Sequence, residues 1–373
     1  MCVIKYEVQL MKPVLNDEMI KAAVRVLENE RYVLGESVYK FEEDFAKYFN
    51  AKYAISTNSG TAALHLSLLA LGIRRSEQVI TTPFSFIATS NAILHVGAIP
   101  IFADIDLKTY NIDPNRIRRK ITRRTKAIIP VHLYGYPADM DRIMEVAEKH
   151  GVKVLEDACQ AHGAEYKGSK VGNIGDVGCF SFYPSKNMTV CGDGGMVLTN
   201  NEEIAELVRK LRDCGRKTKY RHDIVGYTMR LNTINAAIGR VQLERLDVWN
   251  EKRRENAALY NKLLSDIEEV VLPPAGNSYV KPVYHLYVIR AEKRDKLRKW
   301  LEDNGIQCGI HYPLPIHLQP IYQQLFKFKG GEYPYSELGS RTCLSIPMYP
   351  DLSTEEIRYV SEKIHEFYGE IFK

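Results

Sequence analysis

Lys186 stands in an unusual context for a lysine. It follows the apolar run 177–183 (VGCFSFY), which predicts a strand, and it precedes the glycine-rich segment 192–195 (GDGG). A lysine is costly to bury and is usually found on a solvated helix face. Its place at the end of a predicted strand therefore indicates a functional amine, one that could form a Schiff base with a carbonyl compound.

Two other segments place polar groups at the ends of predicted strands. Asp157 ends the apolar run 152–158 (VKVLEDA), where an unpaired carboxylate is costly, although it could instead cap a following helix. Ser59, Gly60 and Thr61 open an apolar helix, so their N–H groups, hydroxyls and helix dipole could hold a phosphate. An ordinary helix cap formed by Ser59 or Thr61 is the alternative.

Together these groups match the needs of one cofactor, pyridoxal phosphate. It requires a lysine for the Schiff base, a carboxylate that keeps its ring nitrogen protonated, and a phosphate site. Phe86, in the segment TPFSFIAT, could stack on the ring, and core packing is an equally good explanation for it. The sequence therefore predicts a pyridoxal phosphate site at the carboxyl ends of a sheet.

The elements that must position these residues alternate along the chain. The predicted strands cover residues 53–57, 78–83, 99–105, 126–134, 152–158, 177–183, 195–200 and 284–290. Segments with helical spacing of apolar residues lie between or beyond them, at 16–49, 60–72, 86–97, 140–151, 293–305 and 353–371. This alternation predicts an α/β fold with a mostly parallel sheet covered on both faces.

A long helical stretch at residues 232–266 indicates two domains. We expect a large cofactor-binding domain at residues 1–245, including the N-terminal helical segment, and a small α+β domain at 246–373. The long helix would connect them, and the segment 273–276 (PPAG) marks a break after it.

Composition excludes several classes of protein. A net charge of +5 spread over 373 residues, without a dense basic block, argues against nucleic-acid binding and suits an anionic small substrate. Seven cysteines without a CxxC pair predict neither a disulfide framework nor a metal site, and they favour a reduced compartment. With no signal peptide and no apolar run of about 18 residues, we expect a cytoplasmic protein without membrane spans.

The ordered set of motifs resembles the DegT/DnrJ/EryC1/StrS family of sugar aminotransferases. The resemblance covers nearly the whole chain. It runs from MKPVLNDEMIKAAVRVLENERYVLGESVYKFEEDFAKYF through STNSGTAALHL, TTPFSFIATSNAI, EDACQAHGA and FSFYPSKNMTVCGDGGMV to HYPLPIHLQPIY and LSIPMYPDLSTEEI. It implies the aspartate-aminotransferase type of fold, fold type I of the pyridoxal-phosphate-dependent transferases.

The resemblance also implies roles for individual residues. Lys186 would form the Schiff base and shuttle protons, and Asp157 would pair with the ring nitrogen. The remaining cofactor contacts would come from Gln160 beside the phenolic oxygen, Phe86 on the ring face, and Ser59, Gly60, Thr61 and Ser181 at the phosphate.

Two further groups of residues follow from the same resemblance. The family completes the phosphate site with an asparagine of the partner subunit in a G-x-N-x-R segment, which here is GYTMR (226–230), so that Thr228 replaces the asparagine. Candidates for substrate contact are Arg230, Tyr312 and His317; a surface arginine, a packing tyrosine and a capped loop histidine are the alternatives.

The resemblance implies a homodimer with shared active sites. It would move an amino group from glutamate or another amino acid to a nucleotide-linked keto-sugar, with ping-pong kinetics. The segment SFYPSKN…GDGG favours the 3-amino branch of the family. Two alternatives remain: a related sugar dehydratase, which has histidine in place of Lys186, and a cofactor-binding regulator without catalysis.

Overall fold

The computed structural model describes residues 7–371. Its α-helices are α1 (Asp17–Asn29), α2 (Glu36–Phe49), α3 (Gly60–Ala70), α4 (Ala88–His95), α5 (Pro114–Arg118), α6 (Met140–His150), α7 (Glu202–Arg212), α8 (Thr233–Leu263), α9 (Arg294–Asp303), α10 (Pro320–Phe326), α11 (Pro334–Thr342) and α12 (Thr354–Ile371). The strands are β1 (Tyr53–Thr57), β2 (Gln78–Thr81), β3 (Ile99–Phe102), β4 (Thr125–Ile129), β5 (Lys153–Asp157), β6 (Glu165–Tyr166), β7 (Ser169–Lys170), β8 (Val177–Ser181), β9 (Gly195–Thr199), β10 (Arg216–Thr218), β11 (Arg221–His222), β12 (Val270–Val271), β13 (Val280–Lys281), β14 (Tyr287–Ala291) and β15 (Cys343–Ile346).

A seven-stranded sheet forms the centre of the fold, in the order β1-β9-β8-β5-β4-β2-β3. Strand β9 runs antiparallel to both of its neighbours, and the other pairings are parallel. The strands are almost wholly buried because helices cover both faces, which is why they are continuous apolar runs without alternation. The prediction of an α/β fold with a mostly parallel sheet is confirmed.

Most predicted element positions are confirmed, and the largest error lies at residues 126–134. Strand β4 ends at Ile129, and a 3-10 turn covers Leu133–Gly135. Pro130 follows the strand, and a proline has no N–H group with which to continue a sheet ladder. Beyond Pro130 the chain still runs parallel to the end of β5, with a bridge between Val131 and Asp157, and it then reaches Gln160 through the Tyr134 N–H.

Helix α8 contributes to two separate cores. Its first half packs Ala236 and Leu243 among the phenylalanines of α2 and the strands β8 and β9. Its second half packs Ala257 and Tyr260 among residues of β14, β15, α9 and α12. A helix shared in this way suits the predicted connector, and the domain boundary at residue 245 stays a prediction. Across residues 7–371, we find no helix with the length and apolar character needed to span a bilayer.

Candidate active site

A cavity of about 490 Å³ opens where β1, β5 and β8 end. These three strands run in the same direction, so their carboxyl ends meet at one edge of the sheet. The cavity brings together most of the predicted site residues, namely Ser59, Gly60, Thr61, Phe86, Asp157, Gln160, Ser181, Lys186 and Tyr312. Residues 285–286 and 311–312 close it from the C-terminal part of the chain.

Asp157 ends β5 with its carboxylate buried, only 4% exposed. Its Oδ2 accepts a hydrogen bond from Thr89 Oγ1 at 2.7 Å, and its Oδ1 accepts one from the Cys159 N–H at 3.2 Å. No helix follows, so the alternative of a helix cap is wrong. Because both donors are neutral, the carboxylate keeps its negative charge available for a cation in the cavity.

Lys186 projects into the same cavity from the turn after β8. The backbone N–H of Lys186 donates to the Tyr183 carbonyl at 2.8 Å, and this bond holds the turn. Burial lowers the pKa of the Lys186 amine, while Cys159 and Asp157 act in the opposite direction. A lowered pKa makes the neutral, nucleophilic amine available at lower pH than in a free lysine.

Gln160 and Tyr312 form a hydrogen-bonded pair beside this amine. Gln160 Oε1 accepts from the Tyr134 N–H at 2.9 Å, and its Nε2 donates to the Tyr312 hydroxyl at 3.1 Å. The Phe86 ring lies 6.2 Å from that of Tyr312 and is 57% exposed, so core packing does not explain it. The cavity therefore offers an aromatic face together with an amide whose orientation is fixed.

The start of α3 forms the other end of the cavity. Ser59 caps the helix by accepting from the Ala62 N–H at 3.1 Å, so the cap alternative is correct for Ser59. A Cβ added to Gly60 would lie 2.7 Å from Ser181 Cβ, which shows how closely the two segments approach. The first N–H groups of a helix have no carbonyl partner within it. Ser59 takes that of Ala62, so those of Gly60 and Thr61 are available to an anion held beside the Ser181 hydroxyl.

Thr228 and Arg230 do not line this cavity. Thr228 Oγ1 lies 3.4 Å from Cys214 Sγ, and Arg230 Nη1 donates to Asp213 Oδ1 at 2.7 Å. Both residues follow the hairpin β10–β11. In this chain they therefore lie apart from the residues that line the cavity.

His317 also lies outside the cavity. It is fully buried, its Nε2 is 3.1 Å from Glu337 Oε1, and its ring packs 4.7 Å from that of Tyr333. This placement does not support the predicted substrate contact and fits the alternative of a capped loop histidine. Burial lowers the pKa of His317, although Glu337 acts in the opposite direction.

The acidic cluster around His317 has a structural explanation. His317, Glu332 and Glu337 could present one metal-ligating atom each within 4.8 Å of one another. Glu332 accepts from the N–H groups of Lys329 and Gly330 at 2.9 and 2.7 Å, and Glu337 accepts from Gly331 at 2.6 Å. These bonds hold the turn before α11, so the cluster needs no metal ion.

Several cavity residues were missed by the sequence analysis. They include Met11, Thr89, Tyr183, Asp193, His285 and His311. Burial first, and then the positive charge of Lys186, lowers the pKa of His311 to about 4 and that of His285 further below its ordinary value. Both imidazoles are therefore neutral hydrogen-bonding groups near neutral pH. Their spacing carried no signal, because residues 285 and 311 lie far along the chain from Lys186.

Comparisons with known proteins agree with this geometry. The model of the DegT/DnrJ/EryC1/StrS aminotransferase family matches residues 13–365. A pleiotropic regulatory protein of Geobacillus stearothermophilus is 44% identical over 355 residues, with 95% of each chain covered. The dTDP-3-amino-3,4,6-trideoxy-alpha-D-glucose transaminase of Streptomyces venezuelae is 40% identical over 353 residues, covering 95% of this chain and 93% of that one. A crystal structure of S. venezuelae DesV in complex with a ketimine intermediate superimposes with a TM-score of 0.91 at 40% identity, covering 94% of each chain.

Proposed function

Because the chain belongs to the DegT/DnrJ/EryC1/StrS aminotransferase family, we propose that it is a pyridoxal-phosphate-dependent enzyme that aminates a nucleotide-linked keto-sugar. The observation that carries this proposal is the convergence of Lys186 and Asp157 in one cavity. The amino donor would be glutamate or another amino acid, and the two half-reactions would follow ping-pong kinetics.

The residues of the cavity fit the cofactor on their chemistry. Lys186 offers an amine whose pKa burial lowers, and Asp157 offers a buried carboxylate with neutral donors. The close approach of Gly60 to Ser181 forms a cradle that a larger residue would fill. When bound, pyridoxal phosphate supplies an electron sink for the bonds at the carbon that carries the amino group.

The protein's own residues would divide the remaining work. In the first half-reaction the Lys186 amine would take the proton from the α-carbon of the amino acid and deliver it to the cofactor carbon. In the second half-reaction it would move a proton in the opposite sense, to the sugar carbon that receives the amino group. Asp157 would hold a proton at the ring nitrogen through a charge-assisted hydrogen bond. Gln160, fixed by the Tyr134 N–H, would orient the phenolic oxygen, and Phe86 would cover the ring face.

The keto-sugar is inferred from the family and from the relatives. The S. venezuelae transaminase is named for a dTDP-linked 3-amino sugar, which supports amination at C3 for this chain. Arg230 and Tyr312 would contact the substrate. Arg230 suits a diphosphate because a guanidinium binds phosphate oxygens in pairs.

A homodimer with shared active sites explains where Thr228 and Arg230 lie. Both stand outside the cavity of their own chain. Close to them in the sequence are two exposed apolar side chains, Tyr220 in the turn of the hairpin (84% exposed) and Val225 after it (88% exposed), which a partner subunit would cover. Thr228 would then donate one hydrogen bond to the partner's cofactor phosphate. A cytoplasmic location stays a prediction from cysteine usage.

The name of the Geobacillus relative favours one alternative, a cofactor-binding regulator. The cavity argues for catalysis because it retains Lys186, the group that moves protons, and a dehydratase of this family would have histidine there. Adding pyridoxal phosphate to the purified protein should give the visible absorbance of a lysine-bound cofactor, and adding glutamate should remove it. A regulator without catalysis would keep that absorbance with every amino acid tested.

Once the donor half-reaction is established, nucleotide-linked keto-sugars can be screened for a mass change that corresponds to amination. We expect a product from a nucleotide-linked 3-keto-sugar. A product from 4-keto-sugars alone would reject amination at C3, and no product from either class would reject the sugar substrate.

A further inference from the structure

Two buried asparagines lie behind Lys186 and join its turn to the long helix α8. Asn187, 4% exposed, donates from Nδ2 to Asn250 Oδ1 and to the Val283 carbonyl, each at 2.9 Å. Asn250, 1% exposed, donates from its own Nδ2 to the His162 carbonyl at 2.8 Å. The residue next to the lysine is thus tied to α8 and to two other segments of the chain.

The two backbone carbonyls fix the direction of this chain of bonds. A carbonyl oxygen can only accept, so the Asn187 amide must present its NH₂ group to Val283, and the Asn250 amide must present its own to His162. The Asn250 oxygen is then left to accept from Asn187. Replacing either asparagine with an alanine would leave a buried carbonyl without its donor, which is costly.

These bonds reach the segments that line the cavity. His162 follows Gln160 by two positions, and Val283 precedes His285 by two. Arg253, three positions after Asn250 on α8, donates from Nη1 to the Tyr284 carbonyl at 3.0 Å. One face of α8 therefore holds the turn that carries the lysine, the segment after β5 and the segment before β14.

We propose that Asn187 and Asn250 form a positioning pair, which holds the Lys186 side chain against Asp157 and Gln160. Neither asparagine lines the cavity. They therefore act through the lysine and do not touch the substrate. The inference rests on the proposed role of Lys186 as the residue that binds the cofactor.

The pKa of the Lys186 amine depends on its surroundings, so a measurement of that pKa reports whether the side chain keeps its position. The titratable groups that line the cavity with it or act on it are Asp157, Cys159, His162, Tyr183, Asp193, His285, His311 and Tyr312. Among the causes of its lowered pKa, burial is the largest. If the turn loosens, the amine gains water, and the pH at which it becomes reactive should move upwards, towards that of an exposed lysine.

The test compares Asn187→Ala and Asn250→Ala with the wild type, using the full-length chain freed of cofactor. Acetic anhydride labels Lys186 in competition with exposed lysines over a range of pH, and mass spectrometry of the peptides gives the midpoint for Lys186. Asn256→Ala is the matched control, because Asn256 is also on α8 and donates to a backbone carbonyl, that of Tyr349, at 3.0 Å.

We expect both variants to raise the pH midpoint of Lys186 labelling by about one unit, and the control to leave it unchanged. A rise of one unit makes the fraction of neutral amine about tenfold smaller at pH values below the midpoint. The double variant should shift it no further than either single variant, because the two residues act as one unit. A midpoint equal to that of the wild type in both variants, or an equal shift in the control, would overturn the proposal. If thermal melting shows that Asn250→Ala does not fold, Asn187→Ala removes the same bond and decides the test.

A separate experiment, borohydride reduction, shows whether the proposed role of Lys186 in cofactor binding is wrong. If Lys186 does not bind the cofactor, borohydride reduction of the cofactor complex would attach the cofactor to a peptide other than the one that contains Lys186. The labelling midpoints do not depend on the cofactor, so they report on the positioning pair in either case.

Discussion

The amine of Lys186 and the carboxylate of Asp157 line one cavity but have different surroundings. Burial favours the neutral form of the amine, whereas two neutral donors satisfy the carboxylate without cancelling its charge. Proton transfer beside a protonated ring requires an amine that can take up a proton and a carboxylate that can pair with the ring nitrogen.

Replacing Lys186 with alanine should abolish transamination while the fold survives. Loss of a general base typically costs about 10²- to 10⁴-fold in rate, and this variant also loses the attachment point of the cofactor. The measurements are turnover with glutamate and the thermal melting temperature. Lys149→Ala, on an exposed part of α6, is the control and should keep full activity. Near-normal turnover in the Lys186 variant would remove the lysine from the reaction.

Replacing Asp157 with asparagine should lower turnover by about ten- to hundredfold, since a charge-assisted hydrogen bond is worth about 1.5–3 kcal/mol. The shape is retained and only the charge is lost, so the variant should fold. Thr89→Val is the matched control: it removes the 2.7 Å hydrogen bond to Asp157 and leaves the charge. A larger loss of turnover in Thr89→Val than in Asp157→Asn would contradict the assigned role.

At the scale of secondary structure, the start of α3 shows how backbone packing makes a binding site. Gly60 is the first residue of the helix, and Ser181 is the last residue of β8. The two can lie side by side only because Gly60 has no Cβ. Helix dipole, free N–H groups and a hydroxyl are thereby brought to one point.

Replacing Gly60 with alanine should weaken cofactor binding without unfolding the protein. The new Cβ would lie 2.7 Å from Ser181 Cβ and 3.0 Å from Cys159 Sγ, so the helix start must move away from the cradle. The dissociation constant for pyridoxal phosphate, measured by absorbance titration, should rise by about tenfold or more, the equivalent of one or two lost hydrogen bonds. Gly369→Ala is the control, because its added Cβ would meet nothing within 4 Å. An unchanged dissociation constant in Gly60→Ala would show that the phosphate binds elsewhere.

At the scale of the whole molecule, the question is which subunit supplies Arg230. The side chain is held by Asp213 at 2.7 Å and is partly exposed, with 23% of its side-chain surface accessible. An arginine oriented by a carboxylate, yet still exposed, is preorganised for a second charged partner. In the proposed dimer that partner is the substrate diphosphate in the neighbouring cavity.

Mixed dimers test the sharing of sites directly. In a dimer of one Lys186→Ala subunit and one Arg230→Ala subunit, one of the two shared sites contains both native residues. Random mixing of the two variants makes half of the dimers mixed, and each mixed dimer has one intact site of two. About a quarter of wild-type turnover should therefore return, above the turnover of either variant alone. Subunits are mixed by co-expression with two tags, and turnover is measured on the pooled dimers.

The control for this experiment mixes Lys186→Ala with Asp157→Asn, two changes expected within the same site. Neither site of the mixed dimer is then intact, and turnover should not recover beyond that of the parents. Recovery in the control, or none in the Arg230 mixture, would contradict the shared site, as would full activity of a monomer in solution.

The sequence by itself determined the α/β fold, and it identified most of the residues around the candidate site. Lys186, Asp157 and Gly60 could be predicted because each lies at the end of a strand, or a few residues after it, and an apolar run in the sequence defines that strand. Parallel strands end at one edge of the sheet, so residues at the ends of separate strands converge. The local pattern and one topological rule were therefore enough for these residues.

Only the tertiary structure decided which other side chains meet them. The hydrogen bond from Thr89 to Asp157, the cavity position of His311 and the burial of His317 depend on contacts between segments far apart in the chain. The bond between Asn187 and Asn250 joins residues 63 positions apart. Periodicity describes only neighbours within a few residues, whereas such contacts are set by how whole elements pack, so no local pattern announces them.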